Sequence, residues 1–134
     1  MILTSLKTNQ LSEDTAAWYW GFLRTVGSRE LERALSYFER DASLQVNSRV
    51  PAYGRLAIGA ELERYWGGLA GLTHEPITIL GNDSQFSAEV LAHYTLSDGS
   101  TMIVPASGFV DRSANGLIQS LRLFADIRPV FKRA

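Results

Sequence analysis

Gln85-Phe86-Ser87-Ala88-Glu89-Val90-Leu91-Ala92-His93-Tyr94-Thr95-Leu96, then Ser97-Asp98-Gly99-Ser100, then Thr101-Met102-Ile103-Val104-Pro105-Ala106-Ser107-Gly108-Phe109-Val110-Asp111, reads as two long strands around a tight turn. Residues two apart share one face of a strand, and Asp98-Gly99 accepts the positive φ angles that hairpin turns need. On either side the period of two continues through residues 73–80 and 117–126, with Asn115-Gly116 as a second turn signal. An antiparallel meander of four strands is therefore predicted. Its strands exceed the average of about five to six residues, which suits a sheet curled around contents.

Upstream the period changes to 3.6. Ser12 can cap a helix with Glu13 and Asp14 in its first turn and Ala16, Trp20 and Leu23 at helical spacing, stopped at Gly27. Ser28 is expected to cap a second helix carrying Leu31, Leu35 and Phe38, ending before Glu39-Arg40-Asp41. Residues 42–46 read as a short strand and 47–55, with Pro51 and Gly54, as a loop. Leu62, Tyr65, Trp66 and Leu69 define a third helix that the Gly67-Gly68 and Gly71 cluster breaks, and Pro129 is expected to end regular structure. The fold class is α+β: three N-terminal helices packed on a curved antiparallel sheet as a cone-shaped barrel, one domain over residues 1–134.

The totals bound the function. In 134 residues, 46% hydrophobic content is enough for a core without metals or crosslinks. Thirteen Lys and Arg against fourteen Asp and Glu leave a net charge of −1 with no basic block, so nucleic acid is not an expected partner. With no cysteine, disulfides, thiolate catalysis and thiolate zinc sites drop out. Met1 to Lys7 lacks the charged region and long apolar run of a signal peptide, and no stretch reaches the ~18–20 apolar residues that cross a bilayer. A cytoplasmic protein without membrane association is expected. There is no glycine-rich phosphate loop, no Gly-x-Ser-x-Gly elbow and no histidine pair at metal-ligand spacing, so neither cofactor nor metal is expected.

The chain has two histidines, His74 and His93. His93 lies within a strand, sharing one face with Glu89, Leu91 and Thr95, while Ala88, Val90, Ala92 and Tyr94 share the other. Apolar residues on both faces suggest cover on both, by pocket contents or by a second subunit. Asp126 closes the last strand beside Leu123, Phe124 and Ala125, where a carboxylate needs a partner or an upward pKa shift. A His and an Asp together supply the two proton-transfer roles of neutral-pH catalysis, although a buried core histidine and a strand-end cap are the plainer readings of each. Arg122 shares a face with Asp126, and of the three tryptophans Trp20 is the one expected to touch a ligand.

Tyr37-Phe38-Glu39-Arg40-Asp41, Pro51-Ala52-Tyr53-Gly54-Arg55-Leu56-Ala57-Ile58 and Gly116-Leu117-Ile118 through Arg122 to Phe124-Ala125-Asp126 resemble segments of limonene epoxide hydrolase, in the SnoaL-like branch of the nuclear transport factor 2 superfold. The resemblance implies a cone-shaped pocket and a homodimer formed through the sheet. It places Asp126 at the family's catalytic base, His93 at its second aspartate and Leu91 at its arginine, and it places Leu44 and Val46 at the Tyr and Asn that hold the attacking water. Aliphatic groups cannot orient a water. The expectation is thus a cyclase or isomerase acting by acid–base chemistry on an apolar polyketide- or terpenoid-like molecule, with His93 and Asp126 catalytic. Trp20, Leu44, Val46 and Tyr53 are expected in its pocket, with Trp66, Leu91, Arg122 and Phe124. An epoxide hydrolase using Gln45, Asn47 or Tyr53 to hold water, and a non-catalytic ligand-binding dimer, are the alternatives.

Overall fold

A computed structural model describes residues 9–128 and 130. The expectations placed on Met1 to Lys7 and on Pro129 lie outside the described residues. The order is α1 (Glu13–Gly27), α2 (Leu31–Leu35), β1 (Phe38–Val46), β2 (Ala52–Tyr53), α3 (Gly54–Trp66), β3 (Leu69–Gly81), β4 (Gln85–Leu96), β5 (Thr101–Arg112) and β6 (Ile118–Ala125). Ser12 caps α1 as expected, its Oγ accepting from the Thr15 N–H at 3.1 Å. Ser28 instead closes α1: its hydroxyl donates to the Arg24 carbonyl at 3.0 Å, and α2 has no side-chain cap. Gly99 and Gly116 take φ of 87° and 76°, the left-handed values that the two turn signals required.

The four-strand meander is present, but it forms part of a six-stranded sheet in the order β2-β1-β6-β5-β4-β3. β1 runs parallel to β6, with Leu44 opposite Leu121 and Val46 opposite Leu123, so the sheet is mixed rather than antiparallel. β1 begins at Phe38, which the sequence reading gave to a helix. The reason lies in packing: Phe38 is fully buried and stacks edge-on against Phe22 of α1, and its tertiary partners outweigh its helical spacing. Leu69 and Gly71 likewise belong to β3, where they face Leu96 and Thr95 of β4.

One face of the sheet is covered by the helices. Phe86, Ala88, Val90, Ala92, Tyr94 and Leu96 of β4 are buried against them, as are Val104 and Val110 of β5. α1 packs on β3 and α3 on β1, so the helices span the sheet from one edge to the other. Burying each large side chain of this interior contributes roughly 1.5–3 kcal/mol, the main term holding helices to sheet. No helix among the described residues is long and apolar enough to cross a membrane.

Candidate functional site

Between the helices and the inner face of the sheet lies a cavity of about 100 Å³. Its walls are mainly apolar, with Phe22, Leu44, Val46, Val90 and Leu123 among them. Polar side chains interrupt them: Tyr19 of α1, Tyr65 of α3, His74 of β3, Tyr94 of β4 and Ser107 of β5, together with Arg49, Glu61 and Arg64. An engineered apolar cavity of ~150 Å³ takes up benzene, so the interior here suits an apolar group of about one ring or less.

The register of β3 and β4 explains how the polar groups meet. Leu72 pairs with Tyr94 and His74 with Ala92, so His74 and Tyr94 are diagonal neighbours on the inner face, roughly 7–8 Å apart. The hydroxyls of Tyr65 and Tyr94 lie 2.6 Å apart. Burial raises both phenols, and their mutual bond adds to the rise at Tyr65 and offsets it at Tyr94. Either hydroxyl can donate in that bond.

His74 is half-buried and lines the cavity. Burial pushes its imidazole down to about 4, against a smaller opposing effect of hydrogen bonding to the Leu23 backbone and a further lowering by His93. Its Nδ1 is buried and has no hydrogen-bond partner among the described residues. The Tyr19 phenol is pushed far up by burial and has no hydrogen-bond partner among the described residues. Gly108 leaves room above it, since a Cβ there would sit 2.9 Å from the Tyr19 hydroxyl. An orphaned buried polar atom such as His74 Nδ1 costs about 1–3 kcal/mol.

The expected catalytic pair is elsewhere. His93 faces outward, and its Nε2 lies 3.0 Å from Glu75 Oε1. Asp126 is exposed, and Arg128 grips it at 3.0 and 3.2 Å, holding its carboxyl below the ordinary range rather than above it. Strand parity is the cause: β4 turns its even-numbered residues inward, and Gly108 pairing with Leu123 turns the odd-numbered residues of β6 inward, leaving Asp126 out.

Of the expected pocket residues, Leu44 and Val46 line the cavity. Trp20 lines a neighbouring groove between α1 and β3 that shares Leu23 and His74 with the cavity, Tyr53 is 70% exposed, and Trp66 is buried in the core. Leu91, Arg122 and Phe124 belong to the outer face, where Arg122 lies over the Phe109 ring and Phe109 meets Phe124 edge-on. The candidate water-holders are also committed. Asn47 exchanges hydrogen bonds with the Ala125 backbone at 2.8 and 3.0 Å, and Gln45 donates to the Arg49 carbonyl at 3.0 Å. The place of His74 on the cavity wall was missed because it depends on register. The available signal was the uniformly apolar set Ala88, Val90 and Ala92, which marks the face of β4 that turns inward. Among the described residues no group of His, Asp or Glu could hold a metal.

This geometry, helices closing an apolar cavity over one face of a mixed sheet, defines the SnoaL-like, nuclear transport factor 2-like fold. Among solved structures, a protein from Shewanella denitrificans assigned to the SnoaL-like polyketide cyclases superposes with a TM-score of 0.77 at 11% identity, covering 90% of this chain and 96% of that one. SalBIII, an epoxide hydrolase/cyclase-like enzyme of pyran ring formation in polyether salinomycin, gives 0.74 at 17% identity, with 86% and 92% covered. A nuclear transport factor 2-like protein of unknown function from Burkholderia pseudomallei gives 0.77 at 10% identity, with 90% and 97% covered. No protein-family model matches the chain, and no curated protein matches its sequence.

Proposed function

We propose that the protein is an acid–base cyclase or isomerase for an apolar, polyketide-like ketone held in the cavity. The observation that carries this reading is the unpartnered Nδ1 of His74, buried on the same wall as the Tyr65–Tyr94 hydroxyl pair. His74 is neutral at ordinary pH and takes a proton from carbon next to a carbonyl. Tyr94, backed by Tyr65, donates to the carbonyl oxygen as negative charge develops there. A base pushed this low gives little driving force, so the hydroxyl pair must do much of the stabilising. The enolate either attacks a second carbonyl of the same molecule, closing a carbon–carbon bond, or is reprotonated at another carbon. In both cases the proton held by His74 returns to the product. The names of the cyclase and cyclase-like neighbours are consistent with this chemistry.

Heptane-2,6-dione in deuterium oxide tests the reading. Loss of a C1 proton and attack on C6 close a six-membered hydroxyketone of unchanged composition. Ring closure or enzyme-dependent deuterium uptake is expected, reduced about 10²–10⁴-fold in His74→Asn and Tyr94→Phe. Equal rates in both variants would refute it, and tight binding without turnover would favour a ligand-binding module. We also infer a homodimer, because Ile103, Phe109 and Phe124 leave large apolar groups exposed on the outer face of the sheet.

A further inference from the structure

Three charged residues stand where the cavity wall reaches the surface. Arg64 Nη2 lies 2.9 Å from Glu61 Oε2, and Arg49 Nη2 lies 3.5 Å from Glu61 Oε1. All three line the cavity, and all three remain partly exposed. Two guanidiniums against one carboxylate leave one unit of positive charge. Each guanidinium has five N–H donors, and Glu61 engages a single terminal nitrogen of each. Among the described residues, most of the donor capacity at the mouth is therefore uncommitted.

We propose that this mouth binds the carboxylate of the substrate, so that the cavity takes an apolar carboxylic acid, ring-sized at its inner end, in preference to the corresponding ester. The inference rests on the cavity being the substrate site, as proposed above. Orientation follows from solvation: an ionised group cannot enter the apolar interior without a partner, so the charged end must stay at the mouth. The planar guanidinium fork matches a carboxylate with two parallel N–H···O bonds. Charge balance separates a carboxylate from a phosphate: one negative charge neutralises the mouth, whereas a dianion would leave it negative beside Glu61.

Phenylacetate and methyl phenylacetate, followed by titration calorimetry and by the Val90 and Ala92 amide resonances, provide the test. At low ionic strength phenylacetate is expected to bind at least ten-fold more tightly than the ester, and the gap should shrink with salt. In the double variant Arg49→Gln/Arg64→Gln the gap should close while ester binding stays as it was. Equal binding of acid and ester, a preference that survives in the double variant, or no response of either amide to either probe would overturn the proposal. His74→Asn and Tyr94→Phe separate the two readings. Both should keep the acid preference while losing turnover; turnover retained with the preference intact would sink the acid–base reading alone, and turnover lost without any preference would sink the anion site alone.

Discussion

The Tyr65 hydroxyl on α3 meets the Tyr94 hydroxyl on β4 at 2.6 Å, joining helix and sheet by a bond that neither element could make alone. The rings stand edge to face at 6.1 Å. Removing either hydroxyl breaks this bond in the interior. Tyr65→Phe or Tyr94→Phe should each cost about 1–3 kcal/mol by urea denaturation, and the double variant should cost less than the sum. Additive losses would mean that the two hydroxyls are not coupled.

His74 should make stability depend on pH. Its folded value of about 4 lies below the usual 6.5, so between these limits the unfolded chain binds more protons than the folded one. Stability therefore falls as pH drops from 6.5 toward 4, by about 3 kcal/mol in all. Asp83 and Asp126 are held below their ordinary range and add losses at the acid end of that window and below it. Between pH 6.5 and 5 the slope should flatten in His74→Asn, as chemical denaturation across pH will show.

Gly108 keeps the cavity open above Tyr19. A methyl group there would stand 2.9 Å from the Tyr19 hydroxyl and 3.2 Å from Leu123 Cδ2. Gly108→Ala should cost about 1–3 kcal/mol through overpacking. It should also weaken phenylacetate binding, whereas a change at the exposed Val50 should leave that binding unaltered.

The outer face predicts an assembly. Phe109 and Phe124 are 41% and 44% exposed, and Ile103 is 56% exposed. Sedimentation equilibrium should find a dimer that Phe109→Glu converts to monomer without loss of helix signal. A monomeric parent protein at high concentration would remove the inferred second copy.

Much of this protein is determined by short-range signals. Ser12 caps α1 through a residue three positions away, Gly99 and Gly116 meet the turns' demand for positive φ, and the alternation of β4 separates its faces. Those signals act between neighbours, so the sequence states them directly. Tertiary structure alone decided which face turns inward, and with it the site. The ladder between β3 and β4 shifts register between Leu69 and Gly71 and again between Pro76 and Thr78, and each irregularity can exchange the faces of a strand. His74 thereby entered the cavity while His93 paired with Glu75 outside. The parallel union of β1 with β6, and the meeting of Arg49 from a loop with Glu61 and Arg64 from a helix, join residues far apart or on different elements. Such pairings are selected by packing the whole interior, and no local pattern encodes that balance.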